Sequence, residues 1–277
     1  MGNAAVPRIA TVLAALSLGV VVGAVLGLTG AGGGILAVPA LVVGLGWSMQ
    51  QAAPVALIAV AGGAAVGAIE GFRRRLVRYR AAILMAVTGI PVTFIGIRLA
   101  HSVSQRVLLA VFAVVMLVVG ARLLWQSSRP SSPSAQSDHV VGHVDLATGR
   151  LVWNASTALL LTGVGALTGL MTGLLGVGGG FVIVPLLRRF TDITMHGIVA
   201  TSLLVIAIVG IGGVFSAVLS GATLPLETTF LFSAATAAGM LVGRLASRRL
   251  SAGQVQLGFA AIVVAVAVEL AVKAATL

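Results

Sequence analysis

Cysteine is absent from the 277 residues, which excludes disulfides, a thiol nucleophile and any thiolate metal site. Charge is scarce as well. Only 8% of the residues are charged, where a soluble domain carries about 25%, while 59% are hydrophobic and mean hydropathy is +1.15. Such a chain reads as an all-α integral membrane protein, whose useful unit is a span of about 20 apolar residues in the lipid bilayer. The formal charge of +11 would point to nucleic acid in a soluble protein; here arginines held in short loops are the expected cause. Residues 30–39 lack the G-K-[ST] ending of a nucleotide P-loop, and His139 and His143 stand four apart in a Ser/Pro-rich stretch without further ligands. The chain reads as no enzyme, with no cofactor and no metal site. Any work it does must draw on an ion gradient, a substrate gradient or a partner.

Glycine, by contrast, is abundant at 36 residues, and its placement is patterned. Residues 27–41 read GLTGAGGGILAVPAL and residues 173–187 read GLLGVGGGFVIVPLL, so Gly30 maps to Gly176 and Pro39 to Pro185 at one offset of 146 residues. Nine of the fifteen positions are identical. A four-glycine cluster followed at the same distance by Val-Pro marks an internal duplication.

Ten apolar segments follow in order. The first half holds 9–28, 35–47, 52–71, 81–100 and 106–125; the second holds 152–173, 181–190, 197–219, 228–247 and 254–275. The first segment, behind a lone Arg8, also fits a cleaved signal peptide, but its counterpart lies deep inside the chain, which favours a span. The segment at 35–47 reaches only about 20 Å, short of a hydrocarbon core near 30 Å. Either it is tied to its neighbours near one surface, or the glycine loop before it dips into the membrane. Residues 127–149 are rich in Ser and Pro and read as a flexible polar linker. The expected organisation is a first membrane repeat at 1–126, a cytoplasmic linker at 127–150 and a second membrane repeat at 151–277.

Basic residues set the topology. If every segment crosses, one side collects thirteen of the seventeen: Arg73, Arg74, Arg75, Arg78 and Arg80, then Arg122, Arg129 and Arg150, then Arg188 and Arg189, then Arg244, Arg248 and Arg249. Arg8, Arg98, Arg106 and Lys273 stay opposite. The positive-inside rule makes the crowded side cytoplasmic, in a multi-pass protein of the inner membrane with both termini outside. Five segments per half turn the second half upside down relative to the first, the inverted-repeat architecture of many secondary transporters. Spread over separate loops as anchors, the arginines also remove nucleic acid as a partner. Trp47, Trp125 and Trp153 fall at span ends, as interfacial aromatics do.

Gly32, Gly33 and Gly34 stand where they would open the short helix after them, and free N–H groups at a positive helix end favour an anion. Two such loops dipping from opposite faces would meet near the midplane, where inverted-repeat transporters bind substrate. The competing reading is that the glycines serve close helix packing alone.

The two G-x-G-G-G-x-x-x-V-P blocks, with the run Ala200-Thr201-Ser202-Leu203 in the second half, resemble the sulfite exporter TauE/SafE family of membrane permeases over nearly the whole chain. The resemblance implies transport of small anions, sulfur oxyanions or organosulfonates such as sulfite or sulfoacetate. It implies a substrate path at Gly30, Gly32, Gly33, Gly34 and Pro39, at Gly176, Gly178, Gly179, Gly180 and Pro185, and at Thr201 and Ser202. The first half departs from it with Ala53-Pro54-Val55 in place of Ala200-Thr201-Ser202, so a symmetric pair of hydroxyl ligands is not expected. The hydroxyls themselves can instead bond their own helix carbonyls.

His196, an imidazole close to the expected anion path, is with Glu70 the candidate for coupling to protons; its rival role is that of a loop histidine beside Asp192, Arg188 and Arg189. Glu70, one turn from Arg73 to Arg75, is equally suited to a surface ion pair, as is Glu269 near Lys273. Gln50 and Gln51, uncharged donors ahead of the third segment, suit an anion or a solvated loop. Arg98 and Arg244 occupy matching places, where snorkelling to the interface competes with anion binding. Sodium coupling and homo-oligomerisation stay open, as do two other functions, an anion channel and a non-transporting membrane scaffold.

Overall fold

The computed structural model describes residues 5–127, 141–142, 151–222, 224–247 and 252–276. Ten α-helices are present among them: α1 (Ala5–Thr29), α2 (Ala37–Gly44), α3 (Met49–Arg73), α4 (Tyr79–Ser102), α5 (Gln105–Ser127), α6 (Ala155–Leu175), α7 (Gly180–Phe190), α8 (Met195–Leu219), α9 (Leu226–Ser247) and α10 (Ala252–Thr276), with a 3₁₀ helix at Gly30–Leu36 between the first two. All ten apolar segments of the sequence are helices, within a few residues of the expected ends. Eight are long and apolar enough to cross a membrane; at about 1.5 Å per residue they exceed a hydrocarbon core of about 30 Å. The other two, α2 and α7, have 8 and 11 residues and cannot cross alone.

Helix starts follow their capping residues. Ser48 caps α3 in a reciprocal box with Gln51, and Thr194, its counterpart at the same offset of 146, accepts from the Gly197 N–H at 3.3 Å to cap α8. Gln51 is thereby committed to the cap. Asn154 starts α6 by accepting from Thr157 N–H at 2.7 Å.

The helices pair across the halves. Helix α1 packs on α9, α4 on α6, α3 on α8 and α5 on α10, with α4 also touching α8 and α3 touching α9. Exchanging every helix for its counterpart returns the same set of pairs. Small residues make the two tightest crossings possible: a Cβ at Gly23 would run into the Thr236 carbonyl of α9, and a Cβ at Gly169, its counterpart, into the Gly89 carbonyl of α4. At the centre lie α3 and α8, with 67% and 61% of their spanning windows buried against 28–44% for the other six. The outward apolar side chains, Leu159, Ile211, Phe230 and Leu226 among them, are those a lipid environment would cover.

The linker expected at 127–150 falls mostly outside the described residues, together with His139, His143, Arg129, Arg150, Arg248 and Arg249. At its described point, Val141 and Gly142, it is pinned to the end of α7: both N–H groups donate to the Phe190 carbonyl at 3.0 Å and the Asp192 N–H donates to Gly142.

Candidate functional site

The two glycine clusters come together at the centre of the molecule. A Cβ at Gly34 would meet Val60 Cγ1 at 2.9 Å and the Val177 carbonyl at 3.3 Å, while one at Gly178 would meet Ile206 Cγ2 at 2.9 Å and Val60 Cγ1 at 3.4 Å. Val60 and Ile206 are counterparts and each lies near the middle of its long helix, α3 or α8. The outer ends of the clusters touch matching places as well. Gly30 faces Val199 at the start of α8, and Gly176 faces Ala53 at the start of α3.

Although nearly identical in sequence, the clusters differ in conformation. In the first, Gly30 alone has a left-handed φ, +74°, and the chain then runs as a 3₁₀ helix. In the second, Gly176, Gly178 and Gly179 have φ of +72°, +74° and +68°. This corrects one expectation. Gly32, Gly33 and Gly34 do not open an α-helix, because α2 begins only at Ala37, and 3₁₀ bonds such as Ala37 N–H to the Gly34 carbonyl occupy this stretch. In the second half Gly180 does open α7, and the N–H groups of Gly180 and Phe181 have no acceptor in their own helix. Beside them the buried Thr168 hydroxyl has no partner among the described residues, and its methyl lies against Gly179; the sequence pattern gave no sign of this residue.

A cavity of about 370 Å³ lies between the ends of α1, α5 and α7 and the starts of α8 and α10. Gly32 and Pro185, both singled out from sequence, line it; so do Arg122, Arg188 and Gln256, which were not. The two arginines read only as topological anchors in the sequence, and among the described residues no acidic side chain lines the cavity with them. At the related place on the other side, the corresponding trio Met49, Ala53 and Leu174 borders a void of about 30 Å³, beside Gln50 and His101. That is room for about one water.

The remaining candidates are distributed as follows. Pro39 is buried in α2. Thr201 and Ser202 are fully buried: Thr201 Oγ1 accepts from Arg78 N–H at 3.0 Å, and Ser202 donates its hydroxyl to the Ile198 carbonyl at 2.8 Å. The Ser202 proton is thus held by its own helix. His196 is exposed at the start of α8. Glu70 is half-buried at the end of α3, bound to Arg74 at 2.7 Å and to Arg244 of α9. The counterparts of this pair are Ser216 and Arg98; Ser216 is buried without a partner among the described residues, and Arg98 lies over the Phe94 ring at 4.4 Å. Glu269 is exposed, and Lys273 reaches the Val42 carbonyl at 2.7 Å. No group of three or more metal-ligating side chains occurs among the described residues.

Comparison with known proteins agrees with this architecture. The family profile described as sulfite exporter TauE/SafE matches residues 15–270. A probable membrane transporter protein of Xylella fastidiosa (strain Temecula1 / ATCC 700964) is 30% identical over 266 residues, 94% of this chain and 95% of its own length. Another of that name from Xylella fastidiosa (strain 9a5c) is 29% identical over 204 residues, covering 73% and 72%. No solved structure gives a significant match. With eight helices of spanning length among its described residues, a duplicated glycine cluster and this family match, the chain belongs to the sulfite exporter TauE/SafE family and is a multi-pass membrane transporter, not an enzyme.

Proposed function

We propose that the protein is a secondary permease for small anions, sulfur oxyanions or organosulfonates, working by alternating access between two inverted membrane repeats, residues 1–126 and 151–277. The observation that carries the proposal is the asymmetry between the two ends: a cavity of about 370 Å³ at one, a void of about 30 Å³ at the place related to it by the duplication. On this reading the cycle is completed by a second state in which the two halves, which share the glycine block, exchange roles. The glycine clusters are the elements that differ, so they are the moving parts and the substrate passes between them. The exchangeable helix pairing supports inversion of the repeats. Arg122 and Arg188 give the cavity an anion-attracting field, and by the positive-inside rule its mouth faces the cytoplasm of an inner membrane.

The void of only about 30 Å³ at one end supports the permease over a constantly open channel. Uptake of labelled sulfite, sulfoacetate and chloride into liposomes holding the purified protein, with and without a pH gradient, tests the proposal. Saturable flux of a sulfur anion that can be driven uphill supports it. Non-saturating flux would indicate a channel, and no flux of these three or of a longer organosulfonate would favour the scaffold.

A further inference from the structure

Sulfite-sized and larger anions make different demands on a site, and the lining of the cavity distinguishes them. A small, strongly hydrated oxyanion stripped of water needs fixed donors all round, because an unpaired polar group in an apolar site costs several kcal/mol. The cavity offers no such cage. Gln256 Nε2 already donates to the Leu123 carbonyl at 3.1 Å, and the Thr29 hydroxyl to the Val25 carbonyl at 2.8 Å. Arg122 and Arg188 supply charge, and both are exposed at the rim of the cavity. Deeper in, the walls are apolar: Phe181 and Phe259, each 8% exposed, with Val119, Val184 and Val199. The Phe259 ring lies 3.6 Å from where a Cβ of Gly32 would stand, so the apolar chamber ends at the first glycine cluster. Its volume of about 370 Å³ falls within the range of sites for small organic molecules, about 300–1,000 Å³.

We infer that the preferred substrate is an organic monoanion with an apolar body, its sulfonate or carboxylate head held at the mouth by Arg122 and Arg188 and its hydrocarbon part packed between Phe181 and Phe259. The inference rests on the proposed permease function and narrows its substrate class. Val119, Val184 and the two phenylalanines then set specificity by chain length, and the arginines set the requirement for charge. Bare sulfite, which leaves most of the chamber unfilled, is a poor substrate.

Linear alkanesulfonates from methane- to hexanesulfonate provide the test. Binding to the purified full-length protein is measured by calorimetry, and labelled hexanesulfonate and sulfite are followed in proteoliposomes. Affinity should rise about fourfold per added methylene. Arg188→Gln should weaken the whole series by a constant factor of roughly tenfold or more, while Val184→Asn and, independently, Val119→Asn should flatten the slope. Affinity that does not depend on chain length overturns the inference, and sulfite flux then decides separately whether the permease reading stands. A slope unchanged in both valine variants places binding outside the cavity and also overturns it. So does hexanesulfonate that binds without being carried while sulfite is carried, or a phospholipid retained at one per chain, by mass spectrometry, that hexanesulfonate does not displace.

Discussion

Replacing Gly32 by alanine separates the proposed mechanism from simple helix packing. Most cluster glycines cannot be tested cleanly: a Cβ at Gly33 would run into the Leu26 backbone, and one at Gly179 into Thr168, so either variant would fail to fold for reasons unrelated to transport. At Gly32 the added methyl meets only ordinary contacts, Phe259 at 3.6 Å and Thr29 Oγ1 at 4.0 Å, and the backbone is 3₁₀ without a positive φ. Alanine there should stabilise the observed state by about 0.4–1 kcal/mol through the unfolded chain. For a chain of this size that is a rise in Tm of a few degrees, roughly 1–4 °C.

The counterpart gives the opposite sign. Gly178 has φ +74°, and its Cβ would lie 2.9 Å from Ile206 Cγ2. Alanine in the left-handed region costs about 1–2 kcal/mol, so Gly178→Ala should lower Tm by about 2–8 °C. If the clusters exchange conformations during transport, Gly32 must reach the geometry of Gly178 in the other state. Gly32→Ala then charges that state the same 1–2 kcal/mol and shifts the equilibrium roughly 5- to 30-fold toward the observed one. Thermal unfolding followed by size-exclusion fluorescence and uptake kinetics in proteoliposomes read the two effects separately. The expected result is a more stable protein that transports at least severalfold more slowly. Full-rate transport by a stabilised Gly32→Ala protein would refute conformational exchange between the clusters.

Further outcomes follow from named contacts. Ser202→Ala removes a hydroxyl committed to the Ile198 carbonyl, so the KM for a transported anion should stay within about twofold of the parent; a tenfold rise would make Ser202 a ligand. Arg122→Gln should raise KM and reduce its dependence on ionic strength, since it removes an exposed charge from the mouth of the cavity. A double-mutant cycle at Glu70 and Arg244, whose side chains are 40% and 27% exposed, should return a coupling of no more than about 1 kcal/mol in chemical unfolding, because solvent screens a half-exposed pair. Gly23→Leu and Gly169→Leu should each abolish stable folding, seen as loss of the monodisperse peak, since each would force apart a helix crossing now closed to backbone contact.

Periodicity and arginine placement made the helices legible from sequence, because each span is a long local signal and a capping residue such as Ser48 or Thr194 ends its ambiguity. The duplication was legible for the same reason: an offset of 146 needs only identity, not structure. Arg122 and Arg188 read in the sequence only as anchors. A tally of basic residues per loop treats each arginine as an anchor, and only the convergence of α5 and α7 on one cavity shows that two anchors share a mouth. Thr168 left no trace at all, since a threonine in an apolar helix looks alike whether its hydroxyl is bonded back or left over.

The conformational difference between the clusters lies beyond sequence for a deeper reason. Gly32 and Gly178, or Gly33 and Gly179, stand in blocks with nine of fifteen residues in common, and glycine occupies left- and right-handed backbone almost equally well. Local preference therefore assigns neither loop its shape. The choice falls to packing against the other half, whose helix pairs are the same when each helix is exchanged for its counterpart. On the proposed alternating-access reading, symmetric sequence and asymmetric structure are the two requirements of one device: the symmetry supplies the second state, and the glycines, free to take either backbone hand, lower the barrier to it.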